Sequence, residues 1–146
     1  MIVEFINAWG QNKEKLEAYF RTHKQTDYCH NYENLVKLLF NIVINSGIEV
    51  DPIWTYNDKF DTDEITVIDN GDYQGTLIFI LHRNTYQPDV SEHLYTHVNY
   101  GSCSGCDTLQ AIHMYDYDKY PTEEQVQDYM MLCLHLLQNC HFMKGE

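Results

Sequence analysis

Apolar residues recur at helical spacing in three stretches of this chain and follow strand patterns in four others. Leu16, Tyr19, Phe20 and His23 share one face and predict a first helix over residues 12–23, with Asn12 as its cap. Leu35, Leu38, Leu39, Ile42 and Val43 fall at i, i+3, i+4, i+7 and i+8, the clearest stripe in the chain. Asn31 or Asn34 can cap that second helix, and Gly47 stands where it should stop. Pro121-Thr122-Glu123-Glu124 opens a last helix, its early acids suited to the helix dipole. Val126, Tyr129, Met130, Cys133, Leu136, Leu137 and Cys140 carry its apolar face.

Strand patterns lie between these helices. Ile48 to Tyr56 carries β-branched and aromatic residues around Pro52, and Ile65 to Ile68 predicts a short strand closed by the turn Asp69-Asn70-Gly71-Asp72. Gly75 to Arg83 is apolar almost throughout, as a central strand would be. His93 to Tyr100 alternates, with His93, Tyr95, His97 and Asn99 on one face and Leu94, Thr96, Val98 and Tyr100 on the other. Asp107 to Met114 predicts a short helix or turn. The expected architecture is a single α+β domain over residues 1–146: N-terminal helices, a three- to four-stranded antiparallel sheet, and a C-terminal helix packed on one face.

Composition narrows the function classes. No apolar run approaches the roughly 18 residues a membrane span needs, and no basic flank leads into an apolar stretch at the N-terminus. A cytoplasmic protein that binds no membrane is the expectation. Five cysteines cannot all pair, and reduced thiols fit that compartment. The net charge of −13 is uneven: residues 1–48 balance five acids against five bases, so the whole excess lies in residues 49–146. Such a surface repels nucleic acid and steers toward a basic protein partner.

One loop stands apart, Tyr100-Gly101-Ser102-Cys103-Ser104-Gly105-Cys106-Asp107-Thr108-Leu109. Cys103 and Cys106 have the spacing of half a zinc ribbon, with His82 and His97 from neighbouring strands as the further ligands. Cys29-His30 is an alternative pair. The same dithiol before a helix is also a redox arrangement, although no βαβ unit precedes it and Asp107 opposes a thiolate. Gly101, Ser102, Ser104 and Gly105 form a third candidate, an anion cradle without the lysine of a Walker loop. A purely structural turn, its cysteines packing as small apolar residues, explains the same pattern. The other histidines match no known catalytic spacing, and Asp61-Thr62-Asp63-Glu64 lacks the twelve-residue calcium-loop pattern.

The acidic excess offers a different working face. Residues 49–72 hold eight acids against the single base Lys59. Carboxylates spaced along a surface imitate the charge line of a nucleic acid. Asp58, Asp61, Asp63, Glu64, Asp69 and Asp72 are the candidate partner-binding acids, with Tyr56, Tyr115 and Tyr117 as aromatic anchors. The stretch Leu81 to Pro88, followed by Tyr100-Gly101-Ser102-Cys103-Ser104-Gly105-Cys106-Asp107-Thr108-Leu109-Gln110, resembles a stretch found in small uncharacterised bacteriophage proteins. That resemblance implies a context, action on host machinery or on an anti-phage defence such as a CRISPR nuclease, and assigns no catalytic residue. The first functional expectation is therefore an acidic, non-enzymatic inhibitor that binds a basic host or defence protein. The alternatives are a zinc- or thiol-dependent enzyme centred on Cys103 and Cys106, or a small-ligand binder that takes a nucleotide in the glycine loop. Self-association is left open.

Overall fold

The structure, a computed structural model, describes residues 2–103, 105–114 and 116–144. Helix α1 spans Val3–Thr22, and α2 begins at Tyr32–Leu38. Beyond α2 the backbone bonds lengthen to i→i+5 over Leu39–Ile44 and tighten to a 3₁₀ turn over Asn45–Gly47. The sheet follows, with β1 Thr66–Asp69, β2 Gly75–His82 and β3 His93–Tyr100, then the short helix α3 Thr108–His113, helix α4 Glu123–Gln138 and the two-residue strand β4 His141–Phe142. Strand order is β1-β2-β3-β4 and every pairing is antiparallel. The α+β expectation, with its C-terminal helix, holds.

Burial on the sheet follows the pleat. Leu94 and Thr96 on β3 and Phe79 and Leu81 on β2 are buried beneath the helices. The Thr96 hydroxyl donates to the Leu136 carbonyl of α4 at 2.6 Å, so the one polar residue on this buried row is satisfied. The opposite face, with Ile78, Ile80, His82, His93, Tyr95 and His97, is half-buried. The predicted faces of β3 are the observed ones.

Three local expectations change. Helix α1 starts nine residues before Asn12, and Asn12 lies buried in mid-helix, donating from Nδ2 to the Val43 carbonyl at 3.0 Å. The α1 stripe runs Phe5, Trp9, Asn12, Leu16, Phe20, and its one polar member reads as a cap when it is a tie between helices. The fourth strand comes after α4, where Phe142 pairs with Leu94 and His141 with Tyr95; two residues are too few for alternation to show. Residues 48–56 form an exposed loop, with Ile53 87% and Trp54 70% exposed. Of the two cap candidates for α2, Asn31 is the cap, accepting from Asn34 N–H, and at the start of α4 Thr122 and Gln125 form a reciprocal capping box.

The return from that loop is pinned by one side chain. Asn45 is buried, donates from Nδ2 to the Phe60 carbonyl at 3.0 Å and accepts at Oδ1 from the Phe60 N–H at 2.9 Å. Phe60 then enters an edge-to-face cluster with Phe5 and Phe40, while the Arg83 guanidinium lies 4.5 Å above its ring. Removing the Asn45 amide would orphan two buried backbone groups at about 1–3 kcal/mol each. We expect Asn45→Ala to lower the unfolding free energy by about 2–4 kcal/mol in urea denaturation. A loss below about 0.5 kcal/mol, the size of an ordinary surface change, would show that the clamp is not formed.

Candidate functional site

The clamp dictates what happens next along the chain. Phe60 forms an antiparallel bridge with Arg83, and Thr66 pairs with Ile80, so five residues, Asp61 to Ile65, oppose only Leu81 and His82. The surplus bulges out of the ladder. A bulge of this kind re-aims side chains, and here Asp61 and Glu64 turn toward His82. One ligand atom from each of the three lies within 4.8 Å of the other two. His82 Nε2 is 3.1 Å from Glu64 Oε2, and the Glu64 side chain is mostly exposed. An Asx turn, Asp63 N–H to Asp61 Oδ1 at 2.9 Å, shapes the bulge.

The tautomer of His82 follows from its surroundings. Nδ1 lies 2.9 Å from the Arg83 carbonyl, which can only accept, so Nδ1 carries the proton. Nε2 therefore faces Glu64 as a bare lone pair unless the ring is protonated. Burial pulls the His82 pKa down, but the Arg83 carbonyl, the Glu64 carboxylate and nearby Asp61 outweigh it, and the net shift is upward from 6.5. His93 is the register partner of His82, with ring centroids 5.6 Å apart, and its Nδ1 is likewise committed, 2.6 Å from the Asp89 carbonyl.

The cysteine loop lies at the other end of the sheet. The β2–β3 ladder runs from Gly75 opposite Tyr100 to His82 opposite His93, so His82 is seven residues, roughly 23 Å, from the end where the loop begins. The predicted metal set of Cys103, Cys106, His82 and His97 is thus not assembled. His97 pairs with Ile78 on the open sheet face, and among the described residues no third ligand joins the two thiols. The sequence cannot show this, because placing His82 requires the hairpin register.

What the loop does contain is a carboxylate hub. Buried Asp107 accepts from the Tyr32 hydroxyl at 2.9 Å, from Gly101 N–H at 2.9 Å and from Gln110 N–H at 3.0 Å, the last as N-cap of α3. The Tyr32 hydroxyl in turn accepts from Leu109 N–H at 3.1 Å. Of the backbone donors that the anion cradle would present, the Gly101 N–H is thus committed to Asp107 inside the protein. Gly101 is required by crowding: a Cβ there would lie 2.3 Å from the Cys106 carbonyl oxygen. Ser104 lies outside the described residues.

Cys103 and Cys106 are exposed free thiols with sulfurs 3.1 Å apart. Hydrogen bonding from the Cys103 thiol and backbone N–H lowers the Cys106 pKa from 9.0. Burial pushes Cys29 up to about 11 and Cys133 up to about 12, so the alternative ligand pair Cys29-His30 offers a poor thiolate.

The candidate partner-binding acids line the β1 side of the sheet. Asp58, Asp63 and Glu64 are exposed at the bulge end with half-exposed Asp61, and Asp69 and Asp72 at the hairpin end. The Tyr100 hydroxyl, 2.5 Å from Asp69 Oδ1, holds that carboxylate below its ordinary pKa. Tyr56 is half exposed and meets Tyr86 edge-to-face at 5.8 Å. Tyr117 stacks instead on His30 and meets His113, contacts that share no residue with the 49–72 segment. Tyr115 lies outside the described residues. Sequence reasoning missed three exposed apolar groups here, Ile53, Trp54 and Tyr86.

A cleft of about 480 Å³ opens beside this surface, lined by Glu4, Asn7, Gln11, Ile48, Asp58 and Arg83 among others. Its one cation is already committed: Arg83 Nη1 donates to the Asp58 carbonyl at 2.7 Å, and Nη2 lies 3.6 Å from Glu4. Among the described residues no helix is long and apolar enough to cross a membrane. No protein-family model, curated protein or solved structure matches the chain.

Thiol chemistry gives a direct check on the loop. With iodoacetamide near pH 7 we expect Cys106 to be alkylated first and buried Cys29, Cys133 and Cys140 to stay unmodified in the folded protein, by peptide mass spectrometry. Labelling of Cys29 or Cys133 at a rate comparable to Cys106 would contradict this arrangement.

Proposed function

We propose that this protein is an acidic docking protein whose 49–72 segment, with Tyr86 beside it, seats on the basic face of another protein. The observation that carries the reading is the coincidence of two rare exposures on one segment. Ile53, Trp54 and Tyr56 stand out of the surface within four residues, while Asp51, Asp58, Asp63 and Glu64 flank them. Large apolar side chains gathered in the open mark contact sites, and aromatics among them supply most of the binding energy where they become desolvated. A carboxylate rim adds rate and selectivity for a cationic partner. The chain's net charge of −13 favours the same sign of partner over long range. The resemblance of the Tyr100–Gln110 loop to phage proteins makes a host or anti-phage defence protein, with a groove that normally holds nucleic acid, the partner we propose.

Affinity capture from a bacterial host lysate tests this with three matched baits: the wild-type chain, Trp54→Ala/Tyr56→Ala, and Asp58→Asn/Asp63→Asn. The expected result is a basic protein retained by wild type, competed off by duplex DNA and released between about 0.1 and 1 M salt, as the Debye length falls from about 10 to about 3 Å. Both variants should retain at least tenfold less of it. Retention that is equal for all three baits, or confined to acidic proteins, would overturn the proposal.

A further inference from the structure

We infer that the Asp61–Glu64–His82 bulge binds a divalent first-row transition-metal ion, a site distinct from the exposed aromatic anchors and from the cysteine loop. Three observations carry it. The ligand atoms are already convergent, each within 4.8 Å of the others. The 3.1 Å between His82 Nε2 and Glu64 Oε2 matches two ligands at right angles around one ion, whose bonds of about 2.1 Å place them about 3 Å apart.

His82 is also prepared as a ligand. Its Nδ1–H is spent on a backbone carbonyl outside the cluster, which fixes the ring and leaves the Nε2 lone pair aimed at a carboxylate. This is the outer-shell bond that metal-ligating histidines make. With the ring neutral, an acceptor faces an acceptor, and only a positive charge between them makes the contact favourable.

The third observation is the neighbour. His93 is the register partner of His82, its ring centroid 5.6 Å from that of His82 and its Nδ1 likewise given to a carbonyl, so a second imidazole lies beside the ligand histidine. An imidazole with two carboxylates suits manganese, iron(II) or zinc better than calcium, which takes oxygen ligands only. Three protein ligands leave coordination positions open. An ion there is therefore accessible to a carboxylate or phosphate of a ligand, or to a partner's side chain. The surrounding negative field raises the local cation concentration.

Manganese(II) is the appropriate probe, because the exposed thiols of Cys103 and Cys106 compete for zinc. Substoichiometric Mn²⁺ added to the full chain at pH 7.5 should broaden the His82 and His93 ring signals in NMR before those of His30 and His135. Titration should give one ion per chain. Glu64→Gln and Asp61→Asn should each weaken binding at least tenfold, and both changes keep the local hydrogen-bond acceptors. Asp63→Asn, which removes an equal charge two residues from Asp61, should change binding less than threefold. Broadening spread evenly over all histidines, or an Asp63→Asn effect as large as that of Glu64→Gln, would overturn the site and reduce it to diffuse attraction. None of these variants removes Trp54 or Tyr56, so failure here leaves the docking reading standing, and failure of docking leaves the ion.

Discussion

The two hydrogen bonds between the Asn45 amide and the Phe60 backbone hold the acidic edge of this molecule to its scaffold. Residues 48–56 leave the helical layer as an exposed loop, and a chain on such an excursion returns to a defined place only if something fixes it. A side-chain amide that satisfies both backbone groups of one residue fixes position and direction together. From that point the consequences are geometric. Phe60 lodges among Phe5, Phe40 and Phe142, Arg83 covers its ring, and the strand register of β1 is reached only by letting Asp61 to Ile65 bulge. The acids face His82 because the chain enters and leaves the bulge at set points.

Much of the fold was legible because its elements are amphipathic. The stripes of α2 and α4, the apolar β2 and the alternating β3 each declare a buried face. The failures fall where a polar residue serves the core. Asn12 interrupts the α1 stripe and looks like a boundary; Asn45 looks like part of a polar helix end. A local pattern carries no trace of a partner 31 or 15 residues away. The π-type stretch Leu39–Ile44 keeps its apolar spacing and is equally silent in the sequence.

The site was half legible. The acids of 49–72 are conspicuous, and extending the β1–β2 register backward from Asp69 opposite Leu77 sets Glu64 opposite His82. Asp61 joins them only through the bulge, which depends on the distant Asn45. The cysteine loop suggested the wrong ligand set: its Gly101 serves the Asp107 hub, and its thiols face each other at the far end of the sheet from His82. The two proposed roles, ion binding and docking, thus divide along the β1 edge. Its bulge end concentrates charge beside prepared imidazoles, while the loop before it displays apolar surface.

The central claim is that residues 57–64 are a fixed part of the sheet and not an extension of the exposed 53–56 tip. Native-state amide hydrogen exchange reads it residue by residue. The account predicts that Phe60, Asp61 and Asn84, whose N–H groups donate to Asn45, His82 and Lys59, are protected like the interior of β2, while Thr55 and Tyr56 exchange quickly. Exchange of Phe60 and Asp61 as fast as that of Thr55 would contradict it.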